Sequence, residues 1–198
     1  MGDGWFVDPD HRVETTKTSP RSAPFSAIVL HWTASPVESA DAEINRIKRW
    51  AARTSDKSST HFCIMRTGEV WQMVPLTKCA WHAGTSSWQC AGWSAPRSSC
   101  NKFAVGIDIL NVGPLTELDG MFFDSYDKKF DGDVVADGDK YFERATDAQI
   151  YAARILIGEI RKLCPTIDAR DVVRHCDVSP GRKIDTGPIL TADILGIC

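Results

Sequence analysis

The sequence predicts a single α/β domain, in which helices pack against a β-sheet. Two kinds of segment support this fold class. Short apolar runs are typical of buried strands, and longer stretches with apolar residues every three or four positions are typical of amphipathic helices. These segments alternate along the chain, which favours a sheet covered by helices. The length of 198 residues suits one buried core.

The chain begins with a polar segment followed by a first strand. Residues 1–24 are polar and contain three prolines, so we expect an irregular arm that precedes a domain at 25–198. Ala27–Leu30 is a short β-rich apolar run that ends at His31. This pattern predicts a buried strand that presents a histidine at its end.

A helix and a hairpin follow. In Val37–Arg53 the apolar residues recur at three-to-four spacing, which predicts an amphipathic helix. Ser35 is the expected N-cap, with Pro36 at the first helical position. Ser58–Arg66 and Glu69–Val74 are predicted strands, and the Thr67-Gly68 pair between them predicts the turn of a hairpin.

The second half repeats the alternation of strands and helices. Phe103–Leu110 is a predicted strand, apolar except for one aspartate. Gly113–Arg144 is dense in Asp and Gly, which predicts solvated turns or a short exposed hairpin and not a calcium loop. A helix is expected from the cap Thr146 to Leu163, a last strand at Asp171–Arg174, and a short helix at Thr191–Ile197.

Composition excludes several classes of function. The net charge of −3 gives no basic face for nucleic acid, and no apolar run reaches membrane-spanning length. The first nine residues are acidic and lack the apolar core of a secretory signal. We therefore expect a monomer made in the cytosol, with earlier removal of a signal as the alternative.

Seven cysteines are present, and none of them forms a CxxC pair. This spacing argues against a thiolate zinc finger. The favoured interpretation is a set of scattered, buried free thiols. The alternative is a disulfide between Cys90 and Cys100, which bracket a polar loop and can pair in an oxidising compartment.

The segment from His175 to Pro188 carries an imidazole, two carboxylates and a lysine among glycines and prolines. Pro180 and Pro188 remove backbone donors, which predicts a loop instead of a regular helix or central strand. With His31 upstream, His175 and Asp185 form a ligand set that suits zinc and leaves one coordination position open. Each histidine taken alone is more often a structural hydrogen-bonding residue.

Two further charged residues are candidates for catalysis. Asp108 lies inside an otherwise apolar strand, where a carboxylate is costly to bury unless it faces a polar site or has a partner. It is therefore either a general base or half of a structural ion pair. Lys183 lies two residues before Asp185, so in an extended segment both side chains point to the same side. It is either an oxyanion partner or an ordinary solvated lysine.

Six segments in order resemble one known family. They are Ile28-Val-Leu-His-Trp-Thr-Ala, Ser59-Thr-His-Phe-Cys-Ile, Gly68-Glu-Val-Trp-Gln-Met-Val-Pro75, Ala80-Trp-His-Ala-Gly84, Cys100-Asn-Lys-Phe-Ala-Val-Gly-Ile-Asp108, and Val173-Arg-His175 through Pro188. The sequence is similar to the zinc-dependent N-acetylmuramoyl-L-alanine amidases of the type-2 amidase and peptidoglycan-recognition-protein superfamily. The branch that includes the anhydromuropeptide amidase is the most similar one.

The resemblance implies a central mixed β-sheet flanked by helices, with one zinc in a groove at the strand ends. It implies His31, His175 and Asp185 as the zinc ligands and Lys183 as the residue that stabilises the tetrahedral intermediate. Asp108 stands where this branch usually has Glu, the residue held to activate the water. Asp177 is then expected to be a structural carboxylate that fixes the loop.

Other family positions concern the substrate. Many relatives have a catalytic Tyr before the histidine that matches His61, but Thr60 stands there, so we expect no tyrosine-dependent mechanism and a structural His61. The residues that resemble substrate-groove positions are Trp81, His82, Asn101 and Arg182. The segments Thr85–Ser99 and Gly113–Arg144 depart from the family pattern; they either shape substrate choice or are tolerated surface insertions.

The implied reaction is hydrolysis of the amide between N-acetylmuramic acid and L-alanine, in peptidoglycan or in its muropeptide fragments. The alternative is a non-catalytic peptidoglycan-binding protein of the same fold. Wall recycling in the cytosol, phage lysis and delivery to the wall of a competitor are all compatible with the sequence.

Overall fold

The computed structural model describes residues 3–197. Met1, Gly2 and Cys198 lie outside the described residues, so the predictions on the first residues of the arm and on the seventh cysteine are not addressed by the structure.

The described chain forms two larger sheets and two small strand pairs. The strands are β1 (Thr18–Pro20), β2 (Ala27–Trp32), β3 (Phe62–Ile64), β4 (Val70–Gln72), β5 (Lys78–Ala80), β6 (Ser87–Trp88), β7 (Arg97–Ser98), β8 (Ala104–Ile109), β9 (Pro114–Leu118), β10 (Met121–Phe123), β11 (Lys129–Phe130), β12 (Val134–Asp137), β13 (Lys140–Glu143) and β14 (Val172–Arg174). The helices are α1 (Ala40–Ala52), α2 (Asp147–Leu163), α3 (His175–Val178) and α4 (Ala192–Leu195), with 3₁₀ turns at Pro9–His11, Cys100–Lys102 and Ala169–Asp171.

The central sheet has the strand order β14-β2-β8-β3-β4. Its first four strands are parallel, and β4 is antiparallel to β3 at the edge. The predicted mixed sheet is therefore confirmed. Every residue of β8 and all but the last of β2 are buried, because helices and loops cover both faces of a parallel sheet.

The two long helices cover opposite faces of the central sheet. Apolar residues of α2 pack with Ile28, Leu30 and Ile107 in the largest core cluster. On the other face, Ile47 of α1 packs in a cluster with Cys63 of β3. Since side chains alternate along a strand, residues such as His31 lie on the side away from α2.

Helix α2 follows the prediction closely. Thr146 caps it, and its side chain and that of Gln149 form a capping box. Helix α1 begins later than predicted, at Ala40 and with Ser39 as N-cap. The backbone of Ser35 is hydrogen-bonded to Asn111 (2.9 Å), which continues the strand pairing and leaves no room for a helix start at Pro36.

The C-terminal loop departs from expectation at its first residues. His175–Val178 forms one helical turn, so the prediction of an irregular segment throughout was wrong there. Residues 179–191 then run without regular structure to α4, as the two prolines require.

A second sheet was missed. Residues 114–143 form five antiparallel strands in the order β11-β10-β9-β13-β12, where we predicted solvated turns or a short hairpin. The turn between β9 and β10 is Asp119-Gly120, with φ of 52° and 74°. Positive φ at both positions is typical of the two-residue turn that joins antiparallel strands. Buried Leu115 and Phe130 pack on one face, and Leu118 is exposed on the other.

The N-terminal segment is more ordered than the predicted irregular arm. β1 pairs with β5, and Thr18 lies opposite Ala80. Lys17 is buried, and its ammonium donates to the carbonyl of Trp50 at 2.6 Å. The domain boundary after residue 24 stays a prediction.

The six cysteines among residues 3–197 are free, and all but Cys176 are buried. Burial, with a smaller effect of Asp171, raises the pKa of Cys90 to about 12. The favoured prediction of buried thiols is confirmed, and Cys90 is not bonded to Cys100. No helix in the described part of the chain is long and apolar enough to cross a membrane.

Candidate metal centre

Three parallel strands bring the predicted ligands to one edge of the central sheet. His31 lies near the end of β2, and Asp108 of β8 lies opposite it in register. His175 follows β14, whose pairing with β2 places Arg174 opposite Leu30. The carboxyl ends of parallel strands are where open α/β sheets bind their ligands.

The side chains of His31, His175 and Asp185 converge at this edge, and all three are buried. The Nδ1 atoms of the two histidines are 2.9 Å apart. Oδ2 of Asp185 lies 3.2 Å from Nδ1 of His31 and 2.9 Å from Nδ1 of His175. In a tetrahedral zinc site, with metal–ligand distances of about 2.0–2.1 Å, ligand atoms lie about 3.3 Å apart. The three atoms therefore fit zinc with little adjustment.

The Asp185 carboxyl stays ionised in this setting. Burial raises its pKa, but hydrogen bonds with His175 and His31 outweigh burial and lower the pKa below the ordinary value. An anionic oxygen beside two imidazole nitrogens is a donor set that zinc prefers.

Asp108 is buried beside these ligands. Burial raises its pKa above the ordinary value, although His31 and a hydrogen bond with Thr60 act in the opposite direction. The groups that act most strongly on it are His31, Thr60, Asp185 and His175, and none of them is lysine or arginine. The alternative of a structural ion pair therefore has no support here.

A groove of about 360 Å³ opens over the ligands. Asp108 and Lys183 line it together with the three predicted ligands, so the structure brings all five predicted metal and catalytic residues together. Lys183 is exposed, as expected for a side chain that reaches into a groove.

Another part of the groove lining was not predicted. It is formed by Arg46, Arg49, Trp50 and Arg53 of the α1 region and by Tyr126, in the turn between β10 and β11 of the second sheet. The signal was present in the sequence, since positions 46, 49, 50 and 53 share one face of a helix. It was not recognised because basic residues on a helix are usually only solvated.

The four predicted substrate-binding residues form bonds within the protein. Trp81 donates its indole N–H to the Ser19 hydroxyl at 2.7 Å. Oδ1 of Asn101 accepts from the backbone N–H of His82 at 3.0 Å and of Ala83 at 2.7 Å. Neither Trp81 nor Asn101 lines the groove, and their role in substrate binding stays a prediction.

Arg182 is held in the same way. Its guanidinium donates to the carbonyl oxygens of Ala83 and Thr85, each at 2.8 Å, and it does not line the groove. His82 does line the groove, but both of its ring nitrogens are engaged. Its Nδ1 lies 2.9 Å from Nε2 of His31, and its Nε2 lies 3.2 Å from the Ala104 carbonyl oxygen. No ring nitrogen of His82 is left for substrate.

Two predicted structural residues are confirmed. Nδ1 of His61 accepts from the Gly106 N–H at 3.0 Å, and burial lowers the pKa of His61 to about 4. The Asp177 carboxylate accepts from the backbone N–H of Arg174 at 2.9 Å and from its guanidinium at 2.8 Å. Asp177 thereby fixes the turn that begins with His175.

The loop Thr85–Ser99 is anchored to Asp171, which directly precedes β14. Its Trp88 donates the indole N–H to Asp171 at 2.9 Å, and the Ala91 N–H donates to the same carboxylate at 3.0 Å. Trp93 packs against Phe103 with ring centroids 4.8 Å apart. These aromatic residues stabilise the loop and do not line the groove.

Comparison with known proteins identifies the family. The family model Amidase_2, described as N-acetylmuramoyl-L-alanine amidase, matches residues 21–188, which is most of the chain. The chain belongs to this family. The six segments that first indicated a type-2 amidase all lie inside the matched range, so that prediction is confirmed.

Individual relatives are anhydromuropeptide amidases. The 1,6-anhydro-N-acetylmuramyl-L-alanine amidase AmpD of Haemophilus influenzae is 36% identical over 129 residues, which cover 65% of this chain and 52% of that protein. This chain thus spans about half the length of the curated relatives it matches.

Solved structures of relatives share the fold. A selenomethionine derivative of AmpD matches with a TM-score of 0.70 and 24% identity, over 99% of this chain and 97% of that one. The Escherichia coli amidase AmiD, in complex with the substrate anhydro-N-acetylmuramic acid-L-Ala-D-gamma-Glu-L-Lys, matches with a TM-score of 0.61 and 27% identity, over 87% of this chain and 58% of that one. The fold predicted for an Amidase_2 member is confirmed.

Proposed function

We propose that the chain is a zinc-dependent N-acetylmuramoyl-L-alanine amidase. It hydrolyses the amide between the lactyl group of N-acetylmuramic acid and L-alanine, in peptidoglycan or its muropeptide fragments. The observation that carries the proposal is the convergence of His31, His175 and Asp185 with Asp108 and Lys183 in one groove. The names of the relatives AmpD and AmiD supply the substrate class.

His31, His175 and Asp185 would hold the zinc, each through one ligand atom. When bound, zinc supplies Lewis-acid polarisation of the scissile carbonyl and lowers the pKa of a coordinated water. Three protein ligands leave a position open for the reacting groups, as catalytic zinc sites require.

Asp108 acts as the general base. Its carboxylate faces the ligands from the adjacent strand and takes the proton of the attacking water. The same proton is then delivered to the leaving nitrogen as the C–N bond breaks. The products are a free lactyl carboxylate on the sugar and the free amino terminus of L-alanine.

Lys183 stabilises the oxyanion. Charge develops on the carbonyl oxygen when water adds to the amide, and a positioned cation lowers the energy of that state more than that of the substrate. Lys183 lines the groove beside Asp185 and is exposed to incoming ligand.

The arginine wall of the groove supports a peptide with carboxylates. Arg49 and Arg53 bring cationic side chains to it, and guanidinium groups suit bidentate recognition of carboxylates. The guanidinium of Arg46 already donates to the Glu38 carboxylate, at 2.7 and 3.0 Å. The AmiD ligand contains a γ-linked D-glutamate, whose α-carboxylate is such a group. Muropeptides are therefore the proposed partners. The predicted cytosolic location and monomeric state stay predictions.

The alternative, a non-catalytic peptidoglycan-binding protein, finds less support. A protein that only binds sugar and peptide needs neither a buried metal-ligand set nor a buried carboxylate opposite it. Both features are costly to bury without a partner.

The deciding experiment measures zinc content and products together. Purified protein is expected to hold one zinc, and mass spectrometry of treated sacculi and of anhydro-muropeptides should show free stem peptides from at least one of the two. Asp185→Ala should lose the zinc and lower cleavage about 1,000-fold or more, because Lewis-acid stabilisation contributes several kcal/mol and each ~1.4 kcal/mol is tenfold.

Asp139→Ala is the matched control, since this aspartate is exposed in the turn between β12 and β13. It should leave both readouts unchanged. A wild-type protein without zinc, or an Asp185→Ala protein that still cleaves, contradicts the proposal. Retention on sacculi without release of stem peptide supports the binding protein instead.

A further inference from the structure

One short segment contacts both metal-binding histidines from behind. Residues 82 and 83 follow β5 and pass beside the imidazoles of His31 and His175. Nε2 of His31 lies 2.9 Å from Nδ1 of His82, and Nε2 of His175 lies 3.1 Å from the carbonyl oxygen of Ala83. The Nδ1 atoms of His31 and His175 face Asp185 instead.

The protonated ring nitrogen of each histidine can be assigned because two of the contacts are to backbone carbonyl oxygens, which accept hydrogen bonds and cannot donate them. The Ala83 carbonyl only accepts, so the proton of neutral His175 is on Nε2. Nη2 of Arg182 also lies 3.3 Å from this nitrogen, but its own protons have closer acceptors in the oxygens of Ala83, Thr85 and Ser179, at 2.7–2.8 Å. The Ala104 carbonyl only accepts, so neutral His82 carries its proton on Nε2 and offers Nδ1 as an acceptor. His31 therefore donates from Nε2 to His82. In both metal-binding histidines the lone pair is left on Nδ1, toward Asp185.

The segment itself is fixed from two sides. Oδ1 of Asn101 accepts from both backbone N–H groups, those of His82 and Ala83. On the side of β8, Gly106 leaves room for the ring, because a Cβ at this position would lie 2.6 Å from Cγ of His82. Arg182 shares the Ala83 carbonyl at 2.8 Å. The imidazole of His82 is thus held by its backbone, by its ring nitrogens and by close packing.

We propose that His82 and Asn101 are positioning residues of the metal centre. His82 fixes the tautomer of His31, and Asn101 holds the segment through which both imidazoles are oriented. Neither residue touches the reacting atoms. Partners of this kind typically change metal affinity or activity 10–100-fold when they are removed. The inference deepens the proposed function and rests on it, because a fixed tautomer matters only where a metal binds.

The first test measures the zinc dissociation constant by competition with a chromophoric chelator. His82→Leu removes the acceptor and should weaken zinc binding about 10–100-fold. His82→Asn keeps an oxygen acceptor near the place of Nδ1 and should restore most of the affinity. His11→Leu is the matched control, since His11 pairs with Glu69 on the surface, and it should bind zinc like the wild type.

The second test reads the tautomer directly. Nitrogen-15 NMR of the metal-free protein should show His31 and His175 with the proton on Nε2. In His82→Leu, His31 should populate the Nδ1–H tautomer while His175 keeps Nε2–H. A role limited to packing would lower thermal stability without moving this signal.

Asn101 gives an independent pair of variants. Asn101→Ala should weaken zinc binding, and Asn101→Asp, which keeps the acceptor oxygen, should weaken it less. If His82→Leu does not fold, this pair carries the test, and equal affinities of the two Asn101 variants overturn the inference. Equal zinc affinity of wild type and His82→Leu overturns the inference alone. A wild type that binds no zinc overturns the proposed function and the inference together.

Discussion

The two five-stranded sheets of this chain differ in what covers them and in what they carry. In the central sheet every residue of β8 is buried, and this sheet holds His31 and Asp108. In the second sheet buried and exposed residues mix along the strands, and the side chain of Leu118 is 59% exposed. The proposed catalytic residues therefore lie where packing on both faces restricts side-chain movement, and the exposed faces of the second sheet are less constrained.

The second sheet is nevertheless attached to the core. Phe142 of β13 belongs to the largest core cluster and packs against Trp32 with ring centroids 5.8 Å apart. The carboxylate of Glu143 accepts from the guanidinium of Arg66 at 2.8 and 2.9 Å. Within residues 3–197, its contribution to the groove over the ligands is Tyr126 alone. The comparison thus predicts that substitutions in the central sheet have large effects on activity and stability, and that substitutions in the second sheet have small ones.

Among residues on the strands of the two sheets, the largest effect is expected at Asp108. Asp108→Asn removes the base but keeps the shape of the side chain, so kcat should fall about 10²–10⁴-fold, the usual contribution of general acid–base catalysis. Zinc affinity should stay close to that of the wild type, because Asp108 is not among the predicted ligands. Steady-state kinetics on an anhydro-muropeptide, with zinc content measured in parallel, checks both statements.

Asp108→Glu is the control for this variant. It restores the carboxylate that the resemblance implies for this position, with one more methylene of reach. We expect it to keep a large part of the activity that Asp108→Asn loses. If Asn and Glu variants are equally inactive, the site tolerates no change of shape and the assignment as base loses its support.

The free energy of unfolding should also respond differently to substitutions in the two sheets. Ile107→Ala in β8 leaves a cavity in the core and should lower the free energy of unfolding by about 2–5 kcal/mol. Leu118→Ala in β9 removes a similar volume from an exposed position and should change it by about 0.5 kcal/mol or less. Urea denaturation of both variants measures the difference. Equal losses would show that the second sheet is as tightly packed as the first.

Among the residues that line the groove, the smallest effect on activity is expected at Tyr126. Its hydroxyl donates to the carbonyl of Ala34 at 2.8 Å while the ring lines the groove. Tyr126→Phe loses one hydrogen bond, worth about 0.5–1.5 kcal/mol, and should raise KM by no more than about tenfold with kcat unchanged. Tyr126→Ala should raise KM further. A fall in kcat with unchanged KM would place Tyr126 in the chemistry and remove the contrast between the sheets.

The sequence allowed the central sheet and α2 to be predicted because burial on both faces leaves continuous apolar runs such as Ile28–Leu30. The second sheet was not predicted because its strands are only two to five residues long and are separated by turns rich in Asp and Gly, which dominate the pattern of the segment. The start of α1 was misplaced because both Ser35 and Ser39 are good caps. The helix begins after Ser39 because the backbone near Ser35 is hydrogen-bonded to the segment at the end of β8. These long-range bonds leave no pattern in the sequence.

The five residues that meet in the groove could be singled out from the sequence because their side chains are costly to bury in apolar strands or rare on rigid loops, and their metal-binding and catalytic roles stay proposals. The contacts of His82 were not predictable in the same way. Its partners are the ring of a residue 51 positions away and a backbone carbonyl, and neither leaves a pattern in the sequence. Substrate binding and support of a ligand require the same residue types, and geometry distinguishes them.

The position of β2 in the sheet has a consequence for how the protein folds. β2 pairs with β8, about 77 residues away, and with β14, 144 residues away. Contacts between such distant segments form slowly, because long loops must close first. Asp185 lies further still along the chain, so the three predicted metal ligands cannot come together until the whole stretch from His31 to Asp185 has been synthesised. Binding of a metal at the predicted site would therefore report that β14 has already paired with β2.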